Sequence, residues 1–230
     1  MKRHLKNQST MYRISKRILD ILIALFALIL FSPIFIPIAL ILKLTGEGEV
    51  FYLQDRIGYK NRIFKIWKFA TMLKNSPSLG TGDVTVKNDS RVLPIGKFLR
   101  KTKINELPQV INVLIGNMSI VGARPLMEQS FSQYTEGVKK IIYDTPPGIT
   151  GIGSIVFRDE ESIIDQSDLP PREFYEKYII PYKGAVETWY QNNKSVFLDL
   201  KIIFLTAWVI IFPKSNLMAK VFKDLPKRPF

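Results

Sequence analysis

Residues Ile21 to Leu42 carry no charge and are almost wholly apolar. As a straight helix rising ~1.5 Å per residue they reach roughly 33 Å, enough to cross a bilayer. The run is too long for a signal peptide and has no small-residue cleavage site. Two features weigh against a simple crossing. Ser32-Pro33 and Pro37 fall in mid-run, where proline removes a helix hydrogen bond and kinks the chain. The flanks are also equally basic, with six Lys/Arg in residues 1–20 and six more in 43–68, so the positive-inside tendency holds both in the cytoplasm. A helix that enters, breaks at Ser32-Pro33 and returns to the same side satisfies both observations. A kinked helix that still spans is the other reading of the same residues.

The chain of 230 residues has room for one ordinary domain beside this membrane element. Lys and Arg outnumber Asp and Glu 33 to 20, a formal +13, which points to a polyanionic partner: nucleic acid, anionic head groups or phosphorylated substrates. There is no cysteine, so disulfides and thiolate metal sites are excluded. The sole histidine, His4, lies in the basic N-terminal segment, which argues against a histidine-based triad or a zinc site.

Beyond the apolar run, Val50–Ile57 and Arg62–Phe69 read as two strands joined by a turn at Gly58–Asn61, a hairpin. Residues 75–90, rich in Ser, Gly, Thr, Asn and Asp, read as a surface loop. Gly96–Lys103 is a short basic helix. From Leu107 the apolar positions Leu107, Val110, Ile111 and Leu114 recur at helical spacing, with Pro108 in the first turn and Gly116 as a stop. Pro146 to Gly153 reads as a loop, and Arg172–Tyr190 as a helix interrupted at Pro181. Phe197–Phe212 is apolar but short for a span; Phe204 and Trp208, four apart, suit a helix lying in the membrane interface, with a buried core helix as the other reading.

The chemistry concentrates in Gly96–Pro125, GKFLRKTKINELPQVINVLIGNMSIVGARP. Glu106 sits beside Asn105 where the Leu107 helix begins. Free N–H groups and the helix dipole there favour an anion. A glutamate at a helix start commonly does no more than cap it. Its neighbours add to that: Lys97, Arg100, Lys101 and Lys103 precede it and Arg124 follows. Cations on both sides imply accumulating negative charge, and a carboxylate among phosphate ligands typically holds Mg²⁺. Arg124, between Gly122-Ala123 and Pro125, has a turn-like setting that suits bidentate phosphate binding. Neither a P-loop nor a dinucleotide fingerprint occurs.

These strings resemble the monotopic bacterial phosphoglycosyltransferases, the bacterial sugar transferase family. The resemblance rests on the Ser32-Pro33 break, FYLQDRIGYKNRIFKIWKF (51–69), FLRKTKINELPQ, GNMSIVGARP, PPGITG with Arg158 ten residues after Gly148, and FLDLKIIFLT, in family order. It implies transfer of a sugar 1-phosphate from a UDP-sugar to polyprenol (undecaprenyl) phosphate, with Mg²⁺ and release of UMP. Carried over by position, Glu106 is the acidic member of a catalytic dyad and lies near the metal, Asn105 holds the nucleophile position, and Lys68, Arg100, Arg124 and Arg158 surround the diphosphate. The implied fold class is α+β and mostly helical. It comprises a basic segment (1–13), a re-entrant helix-break-helix (14–44), a cytoplasmic catalytic domain (45–195), and an interfacial amphipathic helix with a basic tail (196–230). Membrane lipids are then partners, nucleic acid is not, a homodimer follows by analogy, and both termini lie on the cytoplasmic side of the bacterial inner membrane.

The chain departs from the family pattern at several places. The nucleophilic aspartate is Asn105, the arginine of K-F-R is Ala70, G-D-M-S reads Gly116-Asn117-Met118-Ser119, G-P-R-P reads Gly122-Ala123-Arg124-Pro125, and a glutamine is Ser154. Asn105 matters most, because an uncharged amide is a poor nucleophile towards phosphorus. Three explanations stand: a natural variant using Glu106 or direct attack by the acceptor, an engineered Asp-to-Asn change, or an inactive relative that binds without turnover. The sugar is not legible in the sequence.

Overall fold

The structure, a computed structural model, describes residues 2–45, 47–76 and 89–230. Its N-terminal helix, α1, runs without interruption from Lys2 to Leu44, through Pro33 and Pro37. The expected break is corrected: Ser32-Pro33 does not end the helical backbone. Pro33 has no N–H for the carbonyl of Ile29, and Ser32 Oγ donates to that carbonyl instead (2.9 Å), so the acceptor is satisfied locally.

Both ends of α1 pack on one body. Ala24 joins the main core, whereas Ile38 and Leu42 pack with Phe69 and Leu99. Between these anchors Phe26, Ile29, Leu30 and Ile36 are exposed. The N-terminal anchor is polar as well as apolar. Lys16 Nζ donates to Asp199 Oδ2 and to the Val121 carbonyl, both at 2.8 Å, and Tyr190 OH donates to the other Asp199 oxygen at 2.7 Å. Asp20 accepts from Ser119 Oγ and the Ile120 N–H, each at 2.9 Å. Removing one partner of such a buried pair typically costs about 3–5 kcal/mol, so this part of the helix is fastened to the domain.

The expected hairpin forms. β1 (Phe51–Ile57) and β2 (Ile63–Phe69) pair antiparallel, with Tyr52 opposite Lys68 and Arg56 opposite Phe64, around a 3₁₀ turn at Tyr59–Asn61. Most of the expected loop at 75–90 lies outside the described residues. α2 (Pro94–Lys101) starts on a proline, and a Cβ at Gly96 would meet the Thr71 carbonyl at 2.2 Å, so only glycine lets the helix sit this close to the segment after β2. α3 (Gln109–Ile115) follows Pro108 and stops at Gly116, whose φ of 90° is left-handed. Arg17 of α1 donates to the carbonyls of Val113 and Leu114, capping that end.

β3 (Ser119–Val121) leads through α4 (Glu128–Ser132) and α5 (Glu136–Ile141) to β4 (Gly148–Thr150), its parallel partner. The Pro146–Gly153 segment, expected to be loop, therefore contains a strand. α6 (Ile152–Val156), α7 (Glu160–Asp165) and α8 (Pro171–Phe174) precede a π-helical turn at Tyr175–Ile179 and α9 (Ile180–Asn193). Pro181 falls in the first turn of α9, where its missing N–H is tolerated, so the expected interruption is a change of hydrogen-bond pattern rather than a gap. α10 (Val196–Ile211) buries Leu198, Ile202, Leu205 and Val209 and exposes Phe197, Leu200, Phe204 and Ile210. It is thus a core helix on one side and an apolar surface on the other. α11 (Leu217–Val221) closes the chain.

Candidate active site

Strand alternation puts Tyr52, Gln54 and Arg56 of β1 on the same face as Lys68 of β2. These side chains line a cavity of about 510 Å³ that Arg100, Lys103, Asn105, Glu106 and Met127 complete. The local geometry that brings Glu106 there begins at Lys103, whose φ of 60° is uncommon away from glycine. It turns the chain from α2 into a 3₁₀ turn, Ile104–Glu106, which runs into α3. Asn112 of α3 then ties this unit to the hairpin: it is fully buried, accepts from the Trp67 N–H (2.9 Å) and donates to the Lys65 carbonyl (2.8 Å). The acid and Lys68 are thereby held in register.

The electrostatics are those of a cationic site with one anion. Burial alone would raise the Glu106 carboxyl, but Arg124, Lys68 and Lys103, with a hydrogen bond from Gln109, hold it below its usual value. It is therefore ionised at neutral pH. Burial, then repulsion from Arg56, pushes Lys68 down to about 8. Arg56 is shifted down by burial and then by Arg124; it donates to Gln54 Oε1 (2.6 Å), and its Nε is buried without a hydrogen-bond partner. Asn105 Oδ1 is likewise buried and unpartnered. One donor and one acceptor thus stand unsatisfied in the wall of one cavity.

Arg124 Nη2 lies 3.6 Å from Glu106 Oε1, too long for a hydrogen bond, and its side chain is 60% exposed. Water screens such a pair, so it contributes little by itself and both groups can turn to a phosphate. The backbone around it is fixed more firmly. Tyr143 OH donates to the Arg124 carbonyl (2.8 Å) and accepts from the Leu126 N–H (3.0 Å), while the Ile57 N–H bonds the Leu126 carbonyl (2.8 Å).

A second cavity, of about 770 Å³, adjoins the first, since Lys103 lines both and Arg124 lines the second while pairing with Glu106 of the first. Arg158 belongs to this second cavity. Its guanidinium donates to the carbonyls of Val209 (2.9 Å) and Pro213 (2.5 Å) at the end of α10 and to Asp159. Of the residues expected at the site, Lys68, Arg100, Asn105 and Glu106 come together, Arg124 stands at the boundary, and Arg158 caps a helix end beyond it. Ser32 and Pro33 lie within α1, away from both cavities. The resemblance includes Gln54 and Arg56 as a Q-x-R-x-G motif without assigning them a role; their period-2 spacing with Tyr52, opposite Lys68, is what puts them at the site.

A model of the bacterial sugar transferase family matches residues 11–213. The chain belongs to that family. As a bacterial sugar transferase with an exposed apolar N-terminal helix, it is a membrane-associated protein of mostly helical fold. It is 35% identical over 205 residues to the UDP-N-acetylgalactosamine-undecaprenyl-phosphate N-acetylgalactosaminephosphotransferase of Aeromonas hydrophila, a match covering 88% of this chain and 45% of that one. The UDP-glucose:undecaprenyl-phosphate glucose-1-phosphate transferase of Klebsiella pneumoniae is 37% identical over 205 residues, 87% of this chain and 41% of that one. The exopolysaccharide production protein ExoY of Sinorhizobium fredii is 33% identical over 217 residues, covering 88% of each. This bacterial sugar transferase thus spans less than half the length of the first two relatives and most of the third.

Proposed function

We propose that this chain transfers a sugar 1-phosphate from a UDP-sugar to polyprenol phosphate, releasing UMP, at the cytoplasmic face of the bacterial inner membrane. The observation that carries the reading is the meeting of Lys68, Arg56 and Arg100 with an ionised Glu106 in one cavity. That cavity is built on β2 and α2, whose Phe69 and Leu99 hold the C-terminal half of α1. A lipid-linked acceptor travelling along the apolar helix arrives where the cations are.

In this reading the cations bind the donor diphosphate. An oxygen of the acceptor phosphate attacks the phosphorus that carries the sugar. The bond from that phosphorus to the bridging oxygen breaks, and the bridging oxygen leaves with UMP. Lys68, Arg56 and Arg100 stabilise the charge that spreads over the phosphoryl oxygens. An Asn105 amide does not supply a covalent step, so attack by the acceptor is direct, with Asn105 orienting the reacting group. Among the described residues no group of three or more His, Cys, Asp or Glu side chains could hold a metal alone. Mg²⁺ is nevertheless part of the proposal, because the Glu106 carboxylate and the unpartnered Asn105 Oδ1 are oxygen donors of the kind it takes beside substrate phosphates. When bound, it supplies further neutralisation of the diphosphate.

The amide at 105 also favours a second reading, a binding protein without turnover on the same fold. UMP release from a panel of UDP-sugars, with undecaprenyl phosphate and Mg²⁺, separates the two. Expected is release that requires the acceptor and disappears in Glu106→Ala. No release above that control across the panel rejects the transferase. Asn105→Asp is expected to yield a phosphosugar adduct by intact-mass analysis when acceptor is withheld; the same adduct on the unaltered protein would show that residue 105 has deamidated.

A further inference from the structure

We propose that the second cavity, bounded by Arg124 and by Glu187 of α9, binds the hydroxyl-rich glycosyl group of the donor, with the Glu187 carboxyl as its buried hydrogen-bond partner. This rests on the transferase reading and assigns the part of the donor that the first cavity does not hold.

Glu187 is 6% exposed and lines this cavity. One of its oxygens accepts from the Gly153 N–H, and a Cβ at Gly153 would meet Glu187 Oε1 at 2.2 Å, so the carboxyl is seated directly on the backbone at the start of α6. The other oxygen, Oε2, is buried and has no hydrogen-bond partner. The nearest cation does not answer it, because Lys183 is bound to Glu160 at 2.6 Å and to Tyr175 OH at 3.3 Å. Burial pushes the carboxyl up to about 7, against the pull of Gly153 and Lys183. Near neutrality it can therefore accept a hydrogen bond or donate one. A buried polar oxygen left unsatisfied in a cavity wall calls for a ligand group or ordered water.

The position decides which ligand group. Two arms leave a nucleoside diphosphate sugar at its phosphates, and two cavities meet at Lys103 and the Arg124–Glu106 pair. The first cavity carries Phe51, Tyr52 and Leu53, an apolar and aromatic lining suited to a planar base. The second carries the Ser154 hydroxyl and the unpaired Glu187 oxygen, beside Asp159 and Glu160, which are paired with Arg158 and Lys183; together these are hydroxyl and carboxyl groups of the kind that meet sugar hydroxyls. Uracil has a single N–H to offer and leaves such a wall unsatisfied. At about 770 Å³ the cavity is within the usual range for small-molecule sites.

The test is calorimetric binding of UDP, UDP-glucose, UDP-galactose and UDP-N-acetylgalactosamine to the full chain in detergent. Glu187→Gln keeps the acceptor for Gly153 but puts an amide in place of Oε2. It is expected to weaken the UDP-sugar that the unaltered protein prefers by tenfold or more, while UDP changes less than twofold. Ser154→Leu, which narrows the cavity and leaves Glu187 in place, is expected to give the same pattern and decides the matter if Glu187→Gln does not fold. UDP-sugar affinity that survives both changes, or that falls only in parallel with UDP, overturns the glycosyl subsite and leaves the transferase reading standing. Failure of the unaltered protein to bind UDP or any UDP-sugar overturns both.

Discussion

Lys68 carries its charge in a place that opposes it. Burial and the neighbouring arginines bring its pKa to about 8, so it is a cation below that pH and loses the proton as pH rises through it. A diphosphate needs the cation. The sign follows: kcat/KM, which reports the free enzyme, should fall with increasing pH through about 8. Bound phosphate favours the charged lysine, so the corresponding limb in kcat should lie at higher pH. In Lys68→Arg the limb should disappear from this range, because arginine keeps its charge throughout it. A pH–rate profile from 6.5 to 10 checks this, and an alkaline limb unmoved in Lys68→Arg would assign the titration to another group. Single positions also explain how far the site was legible. Glu106 and its cations could be seen because charge of one sign gathered around one acid within a short stretch. Arg158, expected from the resemblance among the cations around the diphosphate, bonds the Val209 and Pro213 carbonyls at the end of α10, a pairing that no local pattern in the sequence records.

At the scale of elements, α3 and the hairpin act as one unit through Asn112. Replacing it with alanine leaves the Trp67 N–H and the Lys65 carbonyl without their partner, each at about 1–3 kcal/mol for a buried group. The expected loss is about 2–6 kcal/mol, read as a Tm lower by about 4–24 °C for a chain of this size. A Tm within a degree or two of the unaltered protein would mean that these bonds do not hold the unit. The elements visible in the sequence were those with a local signature. The hairpin had alternation around Gly58, α3 had helical spacing stopped by Gly116, and α10 had an apolar run broken only by Asp199, Lys201 and Thr206. β3 and β4 had none, being three residues each and distant in the chain. They pair because the backbones at Gly122 and Gly148 approach closely, a Cβ at Gly148 meeting the Gly122 nitrogen at 2.1 Å.

Across the whole molecule, the decisive contact is that both ends of α1 pack on the same body. Lys16 and Asp20 bind β3 and α10, and Leu42 packs with Phe69 and Leu99, so an exposed apolar middle lies between two anchors on one domain. With the exposed apolar side of α10, this leaves apolar surface on two helices of one domain, and we propose that both ends of α1 lie on the cytoplasmic side. Because the protein has no cysteine, Thr10→Cys and Lys214→Cys can be labelled singly in sealed inside-out and right-side-out vesicles with an impermeant maleimide. Both are expected to react only from the cytoplasmic side; periplasmic labelling of Thr10→Cys would establish a crossing. The sequence by itself determined the apolar helix, the hairpin, the acid among cations and the amide at 105, since each follows from composition or spacing within a few turns of chain. Only the tertiary structure decided that α1 stays helical through its prolines, that Arg56 joins Lys68, that Arg158 caps a helix, and that Glu187 lines a second cavity with an unpaired oxygen. Those facts depend on groups far apart in the chain, whose burial and pairing no local pattern records.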